Sequence, residues 1–541
     1  MSQLTVDLGL VEKYNVSGPR YTSYPPATHF HDQITWGELS AELLRNNETE
    51  RDLSLYFHIP FCQTLCWYCG CTTVITTQQN QSATYLDYLK QEMTQMGTLL
   101  NPRRKVVQLH LGGGSPTFMT PAEIRQLGRL VHDQFVVAED LEAGAEIDPR
   151  RLSRDHIEAL AEAGFTRASV GVQDFDPKVQ EAVHRIQPRE LTEEVIDWIR
   201  AAGFTSLNID LIYGLPHQTV SSFEKTLEEV LKLAPDRLAV FSYAHVPWIK
   251  PAQKILENHA LPSAETKLQL LKLVIETLTA NDRYVYIGMD HFARPDDELA
   301  VAQRNKTLQR NFQGYSTRGG ADIYSFGMSA ISQTPNVYWQ NHKDLPVYYT
   351  ALREGRSPLA RGIFPTDDDK LRRETIVRLM CDLGLNYAAM SKRMHVQFPA
   401  YFARELASLD DMMADGLIRM TPLGLEVTDT GRLLIRNIAM RFDSLTPRGD
   451  EQRYDIRTTA VGRTAASTKK DDALKIGAPA AGGAIIGAIV GGKKGAAIGT
   501  AVGGGAGTGV VLSTRGKEVG LAKGAALTLK LSEPVTVRIR S

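Results

Sequence analysis

The chain has 541 residues, 43% of them hydrophobic, with 61 basic side chains against 62 acidic ones. That length can bury several cores, and a net charge of −1 gives no general pull toward nucleic acid or anionic lipid. The N-terminus is acidic and lacks a basic stretch followed by an apolar one, so the sequence predicts a protein that works in the reducing cytoplasm.

In chain order, residues 1–50 come before the first strong strand pattern and include "GPRYTSYP" at 18–25. "LSLYFHIPF" predicts a buried strand that runs into "FCQTLCWYCGC", residues 61–71, which holds four of the five cysteines. A reducing compartment argues against disulfides there. The spacing Cys62-x3-Cys66-x2-Cys69 places three thiolates on one short loop, a set that suits an iron–sulfur cluster or zinc. A structural zinc site wants a fourth ligand; no second C-x2-C or H-x3-H pair follows, and Cys71 is crowded against Cys69 for a tetrahedral site. Three cysteines on a four-iron cluster leave one iron open, as a catalytic centre requires. The spacing favours the cluster and keeps zinc as the alternative.

Beyond the cysteines, Tyr85, Leu86, Leu89, Met93, Met96 and Leu100 recur at helical steps. "VVQLHLGGGSPT" predicts the next strand, and its glycines 112–114 allow a backbone to come close to a ligand. "AGAEIDP", "TRASVGVQDF", "SLNIDLIYGLP" and "DRLAVFSYAHVP" read as further strands, with helices near 153–163, 176–202 and 221–233. The series predicts an α/β fold: a parallel sheet curled into a partial (β/α)6 barrel over residues 51–360, with active residues at the C-terminal ends of the strands. Glu146, Gln173, Asp174, Asp210, Tyr243 and His245 collect at those ends. In a shared pocket, such carboxylates bind hydroxyls or an ammonium group and Arg185 takes a carboxylate.

Residues 361–445 change character. "DDDKLRRETIVRLMCDLGLNYAAMSKRM" and "YFARELASLDDMMADGLIRM" read as amphipathic helices followed by the strand-like "GLEVTDTGRLLI", a helical, winged-helix-like domain. Acidic residues run through both helices, so it reads as a wall or lid on the barrel and not as a DNA-binding module. Cys381 lies on an apolar stripe and is expected to be a buried thiol. Residues 446–475 have the composition of a linker. Within 476–541, glycines at 483, 487, 491, 495, 499, 503 and 507 fall four apart, and "LTLKLSEPVTVRIRS" alternates as a β-hairpin does. This tail resembles glycine-zipper segments of envelope proteins. It reads either as an appendage outside the catalysis or as a hairpin for membrane contact or self-association.

The C-x3-C-x2-C motif after a strand resembles the radical S-adenosylmethionine (SAM) enzymes. Across residues 11–450, "YNVSGPRYTSYP", "HIPFCQTLCWYCGC", "GGGSPT", "EIDPR", "GVQDF", "NIDLIYGLP", "YAHVP", "IGMDHFARPDDELA" and "NFQGY" are similar to the bacterial oxygen-independent coproporphyrinogen III oxidases (dehydrogenases). The resemblance implies a [4Fe-4S] cluster on Cys62, Cys66 and Cys69, with Cys71 a family cysteine that does not ligate it and is expected, with Arg20 and Tyr24, to be catalytic. It implies two SAM molecules, the first at Tyr56, Tyr68, Gly113, Glu146 and Ile331, the second at Gly114, Ser115, Gln173, Arg185, Asp210 and Ala244. Tyr68 and Ser115 stand where relatives commonly have Phe and Thr. The segment over the active site makes Arg20, Tyr21 and Tyr24 expected substrate contacts. The implied reaction decarboxylates the ring A and B propionates of coproporphyrinogen III to vinyl groups, by way of a 5′-deoxyadenosyl radical. An electron donor such as a flavodoxin or ferredoxin, a monomeric state and no nucleic-acid partner complete the expectation. Related haem chaperones and radical SAM haem-opening methyltransferases are the alternatives.

Overall fold

Alternation of apolar and polar residues builds the central sheet. In the computed structural model, which describes residues 4–16, 18–445, 458–461 and 529–531, six parallel strands follow in order: β1 (Leu53–Ile59), β2 (Lys105–Gly113), β3 (Val136–Ile147), β4 (Arg167–Gln173), β5 (Ser206–Tyr213) and β6 (Arg237–Ser242). Leu55, Phe57 and Ile59 of β1, Leu109 and Leu111 of β2, and Leu207, Ile209 and Leu211 of β5 are buried in the main core, among apolar residues of the flanking helices. The intervening positions, among them Gln108, His110, Glu142, Glu146, Ser169, Asn208 and Asp210, line a cavity inside the curl. The period of two therefore separates a dry outer face from a polar inner one.

The sheet extends past the six units. After β7 (Val285–Gly288), β8 (His291–Ala293), β9 (Gln309–Asn311) and β10 (Gly314–Ser316) come β11 (Asp322–Phe326), β12 (Ile331–Gln333), β13 (Tyr338–Asn341) and β14 (Leu359–Ile363). The twelve-stranded order is β14-β13-β12-β11-β1-β2-β3-β4-β5-β6-β8-β7, with β11 parallel to β1 and the outermost strands antiparallel. Strands β9 and β10 form a separate hairpin, and its Gln313, Tyr315 and Ser316 also line the cavity.

Helix Asn80–Gly97 packs its predicted apolar stripe into the core and also carries a fully buried carboxylate, Glu92. Glu92 accepts hydrogen bonds from the Gly327 amide (2.8 Å), Asn341 Nδ2 (2.6 Å) and Tyr348 Oη (2.7 Å). It thus ties together the turn after β11, the end of β13 and the following helix. Burial outweighs these three donors and lifts Glu92 to about 7.

Three helical expectations are corrected. The helix read across 176–202 is two helices, Pro177–Ala182 and Arg189–Ala201. Between them His184 takes a left-handed conformation (φ 57°) and Pro188 disfavours helix in the residue before it. The long helix of the C-terminal domain stops at Asp382, where Leu383 (φ 55°) turns the chain into β15 (Gly384–Asn386) before helix Tyr387–Met394. "YFARELASLDDMMADGLIRM" forms two short helices, Ala403–Ala407 and Asp410–Ala414, and then enters β16 (Ile418–Thr421), and "GLEVTDTGRLLI" is strand only over β17 (Gly424–Val427) before helix Asp429–Leu433. The three short strands pair in the order β15-β17-β16, and a second core of Met, Phe, Leu and Ile side chains lies around them. The glycine run lies outside the described residues. In the tail, Thr458–Val461 pairs antiparallel with Leu529–Leu531, and the second arm of the expected terminal hairpin is not described. Among the described residues no helix is long and apolar enough to cross a membrane.

Candidate active site

The cysteine loop continues β1. Phe61–Cys62 pairs with Val74–Ile75, which closes the loop at its base. Cys69 N–H donates to the Cys66 carbonyl (3.0 Å), a tight turn within the loop. The helical segments that follow β4 and β6 pin the loop from outside: Trp67 N–H donates to the Val183 carbonyl (3.0 Å) and its ring stacks on His184, Gln253 Nε2 donates to the Tyr68 carbonyl (3.0 Å), and Lys250 Nζ to the Cys71 carbonyl (2.7 Å). Cys62, Cys66, Cys69 and Cys71 all face one cavity of about 550 Å³. Its wall also includes Tyr68, Gly113, Gly114, Ser115, Glu146, Gln173, Arg185 and Asp210 from the sequence-based set.

Among the described residues no three Cys, His, Asp or Glu side chains converge on the point a single metal ion would occupy. A cubane takes each thiolate on a separate iron, so thiols spaced along a wall suit it, whereas zinc would need them gathered. Two guanidiniums stand behind the wall. Arg150 Nη2 lies 3.4 Å and Arg185 Nη1 3.7 Å from Cys66 Sγ. Asp148 sits between them, 2.6 Å from Arg150 and 3.4 Å from Arg185. Burial would raise the Asp148 carboxyl, yet Arg185 and Arg150 hold it well below the usual carboxylate range. Hydrogen bonding from Cys71, with Lys250 and Arg185 nearby, draws Cys69 down to about 6 against the effect of burial, while burial beside Cys69 and Cys66 pushes Cys62 up to about 12.

The glycines after β2 follow from the same crowding. Gly113 has φ 117°, and a Cβ on Gly114 would lie 2.6 Å from the Pro60 carbonyl. A Cβ on Gly112 would lie 2.9 Å from Glu146 Oε1 and 3.0 Å from Tyr56 Oη. Glu146 Oε2 accepts from the Gly113 amide (3.2 Å), and Tyr56 Oη meets His58 Nδ1 (3.2 Å), whose Nε2 reaches the Thr72 carbonyl (2.9 Å). At the far side, Asp210 accepts from Ser169 Oγ (2.9 Å) and Asn208 Nδ2 (2.8 Å), and burial raises it to about 6. Gln173 holds a left-handed conformation (φ 69°) next to it, a strained position of the kind found at functional sites. Arg185 Nη2 donates to the Gly171 carbonyl (2.6 Å), and its Nε is buried without a partner.

Those features fit a cluster with an anionic ligand beside it: three thiols on one wall, a backbone approach open at the glycines, and a buried arginine nitrogen awaiting an acceptor. Of the expected residues, Arg20, Tyr21, Tyr24, Tyr56, Asp174, Tyr243, Ala244, His245 and Ile331 lie off the cavity lining. Tyr56 stands one layer behind it against Gly112, and Ile331 and Ala244 are not on the lining. Tyr24 has its ring buried in the second core, and its hydroxyl meets Ser444 Oγ (3.1 Å). Tyr21 turns the same way, to Asp443 (2.8 Å). Arg20 alone of that segment points toward the barrel, 5.6 Å over the ring of Phe241, a lining residue. Asp174, one residue past the end of β4 and after the left-handed Gln173, is held by Thr226 and Gln218. The sequence reading gave no role to Asp148, Arg150, Ser169 or Asn208. Asn208 sits two residues before Asp210 and Ser169 four before Gln173, spacings that the strand period carries.

Comparison with known proteins was made against this geometry. Residues 56–230 match the radical SAM superfamily and residues 366–434 the HemN C-terminal domain. The chain is 47% identical over 444 residues to oxygen-independent coproporphyrinogen III oxidase of Escherichia coli K12, covering 82% of this chain and 96% of that protein. It is 45% identical over 452 residues to the protein of that name from Synechocystis, covering 83% and 97%. The solved structure of the E. coli coproporphyrinogen III oxidase, described as a radical SAM enzyme, superposes with a TM-score of 0.78 at 44% identity over 82% of this chain and 100% of that one.

Proposed function

Since the chain belongs to the oxygen-independent coproporphyrinogen III oxidase family of radical SAM enzymes, we propose that it converts the ring A and B propionates of coproporphyrinogen III to vinyl groups, giving protoporphyrinogen IX for haem without oxygen. The observation that carries this reading is the three-thiol wall of Cys62, Cys66 and Cys69, which shares one cavity with Glu146, Gln173, Arg185 and Asp210. In the reaction each propionate loses carbon dioxide, a β-hydrogen atom and one further electron. A [4Fe-4S] cluster and SAM, when bound, supply one-electron cleavage of a sulfonium and so the means of removing that hydrogen atom.

The chain's own residues bind and orient. Cys62, Cys66 and Cys69 are assigned to the cluster, and Cys71 faces the same space without ligating it. We assign one SAM to Tyr56, Tyr68, Gly113, Glu146 and Ile331. A second is assigned to Gly114, Ser115, Gln173, Arg185, Asp210 and Ala244. The unpartnered Arg185 Nε supports a carboxylate there, and the Ser169–Asn208–Asp210 group supports a hydroxyl or ammonium. Asp148 keeps two guanidiniums beside the thiols while cancelling part of their charge. We further infer a cytoplasmic monomer that receives electrons from a flavodoxin or ferredoxin. The Gly18–Pro25 segment and Cys71 distinguish it from the haem chaperones, and no observation favours a haem-opening methyltransferase.

The test is anaerobic turnover of the full chain, reconstituted with iron and sulfide and reduced, with SAM and coproporphyrinogen III. Protoporphyrinogen and two carbon dioxide per substrate are expected. SAM cleavage with the porphyrinogen left intact would remove the substrate assignment, and equilibrium binding of a single SAM would remove the second site. A chain ending at residue 450 should behave alike, since the E. coli relative is matched over 96% of its length by 82% of this one.

A further inference from the structure

Away from the cysteine wall, the cavity reaches the edge of the sheet, where Phe241, His291 and Tyr315 line it. Behind that lining stand four arginines. Arg310, only 6% exposed, lies with its Cζ 4.6 Å from the centroid of the Tyr315 ring. One Nη donates to the Arg20 carbonyl (3.2 Å), while its Nε and other Nη are buried without a partner. Arg20 covers Phe241 and is ion-paired with Asp290. Arg432 packs on Tyr286 and reaches Gln303 Oε1 at 2.5 Å, with its Nε unpartnered; Arg436 donates to the Val16 carbonyl at 2.9 Å. Among the described residues, Arg310, Arg432 and Arg436 form no ion pair with a carboxylate. His291 Nδ1 is likewise buried without a partner.

These charges act on one another. Burial first, then Arg310 and Arg436, draw Arg20 down to about 10. Burial, then Arg310, Arg20 and Arg237, push His291 to about 3, so its ring is neutral and offers a single N–H. A guanidinium removed from water without an acceptor is costly, and a group of them costs more. The cost is offset when an anion supplies the missing acceptors, and planar guanidiniums suit carboxylates in two-point contacts. Two aromatic rings with arginines packed on them give this end of the cavity an apolar lining edged by positive charge.

We propose that Arg310 and Arg20, aided by the His291 N–H, form a carboxylate-docking site for substrate side chains remote from the one reacting at the cysteine wall. The inference rests on the coproporphyrinogen reading above, since it takes a macrocycle with more than one carboxylate to reach both regions. Arg432 and Arg436 add to the field behind the site. They hold no carboxylate directly.

The test uses the full, cluster-free chain and two stable probes, coproporphyrin III and its tetramethyl ester, titrated by fluorescence. In the unmodified protein the tetra-acid should bind at least about tenfold more tightly than the ester. Arg310→Gln and Arg20→Gln should each weaken the tetra-acid about tenfold and leave the ester nearly unchanged, with Arg310→Lys recovering part of the loss. Retained iron loading and SAM binding show that a variant has folded; should Arg310→Gln fail this, Arg20→Gln and the acid–ester ratio of the unmodified protein decide. Equal binding of acid and ester, or a tetra-acid affinity unchanged in folded variants, overturns the docking site while leaving the enzyme reading intact. Absence of any tetra-acid binding, with no turnover of coproporphyrinogen, overturns both.

Discussion

The barrel lip and the small core where helix Asp367–Asp382 packs on the edge of the barrel hold the same side chain in opposite settings. Cys381 is 0% exposed, enclosed by Ile287, Leu299, Leu308 and Tyr315, and burial pushes its thiol up to about 12. At the lip, Cys66 has two guanidiniums within 3.7 Å and Cys69 is drawn down to about 6. Carboxylates divide in the same way. Asp148, between Arg150 and Arg185, is held well below its ordinary range, whereas Glu92, fully buried with neutral donors alone, rises to about 7. Burial is common to all of them. What sets the direction is what each buried group meets: the two guanidiniums for Asp148, the Cys71 hydrogen bond with Lys250 and Arg185 nearby for Cys69, and for Glu92 neutral donors that do not offset burial.

The most severe way to break that contrast is Cys69→Ala, which removes one wall ligand. Iron and sulfide retained after anaerobic reconstitution should fall sharply and SAM cleavage should vanish, while Cys381→Ala keeps both. A Cys69→Ala protein with full iron content would mean that the lip does not hold the cluster. Next comes Asp148→Asn, which strands two buried guanidiniums without their carboxylate. Removing one partner of such a group costs about 4 kcal/mol, read as a lower urea midpoint. SAM binding should weaken with it. The sign in pH is definite: a depressed carboxylate stabilises above its ordinary pKa, and that stability is lost as acid approaches the depressed value. The Asn variant should therefore lose stability less steeply below pH 4 than the parent does.

Glu92 gives the opposite slope. Its folded value stands above the ordinary 4.5, so the folded protein holds the proton longer and stability falls as pH rises from 4.5 to about 7. The window corresponds to about 3 kcal/mol. Glu92→Gln should lower the melting temperature through disturbed bonds to Gly327, Asn341 and Tyr348, and should flatten the profile across that window. An unchanged slope in the variant would place the titration elsewhere.

Much of this division was legible in the residues. The C-x3-C-x2-C spacing marks the reactive thiols, and the apolar stripe around Cys381 marks the inert one, because both are local patterns. The six strand units are legible for the same reason, as period-two alternation survives any tertiary arrangement. What could not be read was the break at His184, a single left-handed residue inside a good helical pattern, and that break is what swings Arg185 onto Cys66. The direction of the Tyr24 ring was also hidden, because motif position says nothing about which way a ring turns; Ser444, more than four hundred residues away, meets its hydroxyl. The arginine wall was equally hidden, since Arg20, Arg310 and Arg436 meet only when three distant segments fold together.

The smallest effect belongs to Cys381 itself. Cys381→Ala leaves a cavity about one sulfur in size in a cluster that includes Ala293, Ala300 and Ala302, and should cost about 1 kcal/mol. Cys381→Ser fills that space but buries a hydroxyl; on helix Asp367–Asp382 it can bond back to the carbonyl four residues earlier, which limits the cost to about 1–2 kcal/mol. Both should show as modest shifts of the denaturation midpoint with iron content and SAM cleavage unchanged. Because the thiol is neutral at any physiological pH, alkylating reagents should leave it untouched in the folded protein while modifying the lip cysteines of the cluster-free chain. If Cys381 were modified as fast as Cys69, its core would be opening on the timescale of the reaction, and the contrast between a cation-rich lip and a dry core would reflect mobility instead of charge.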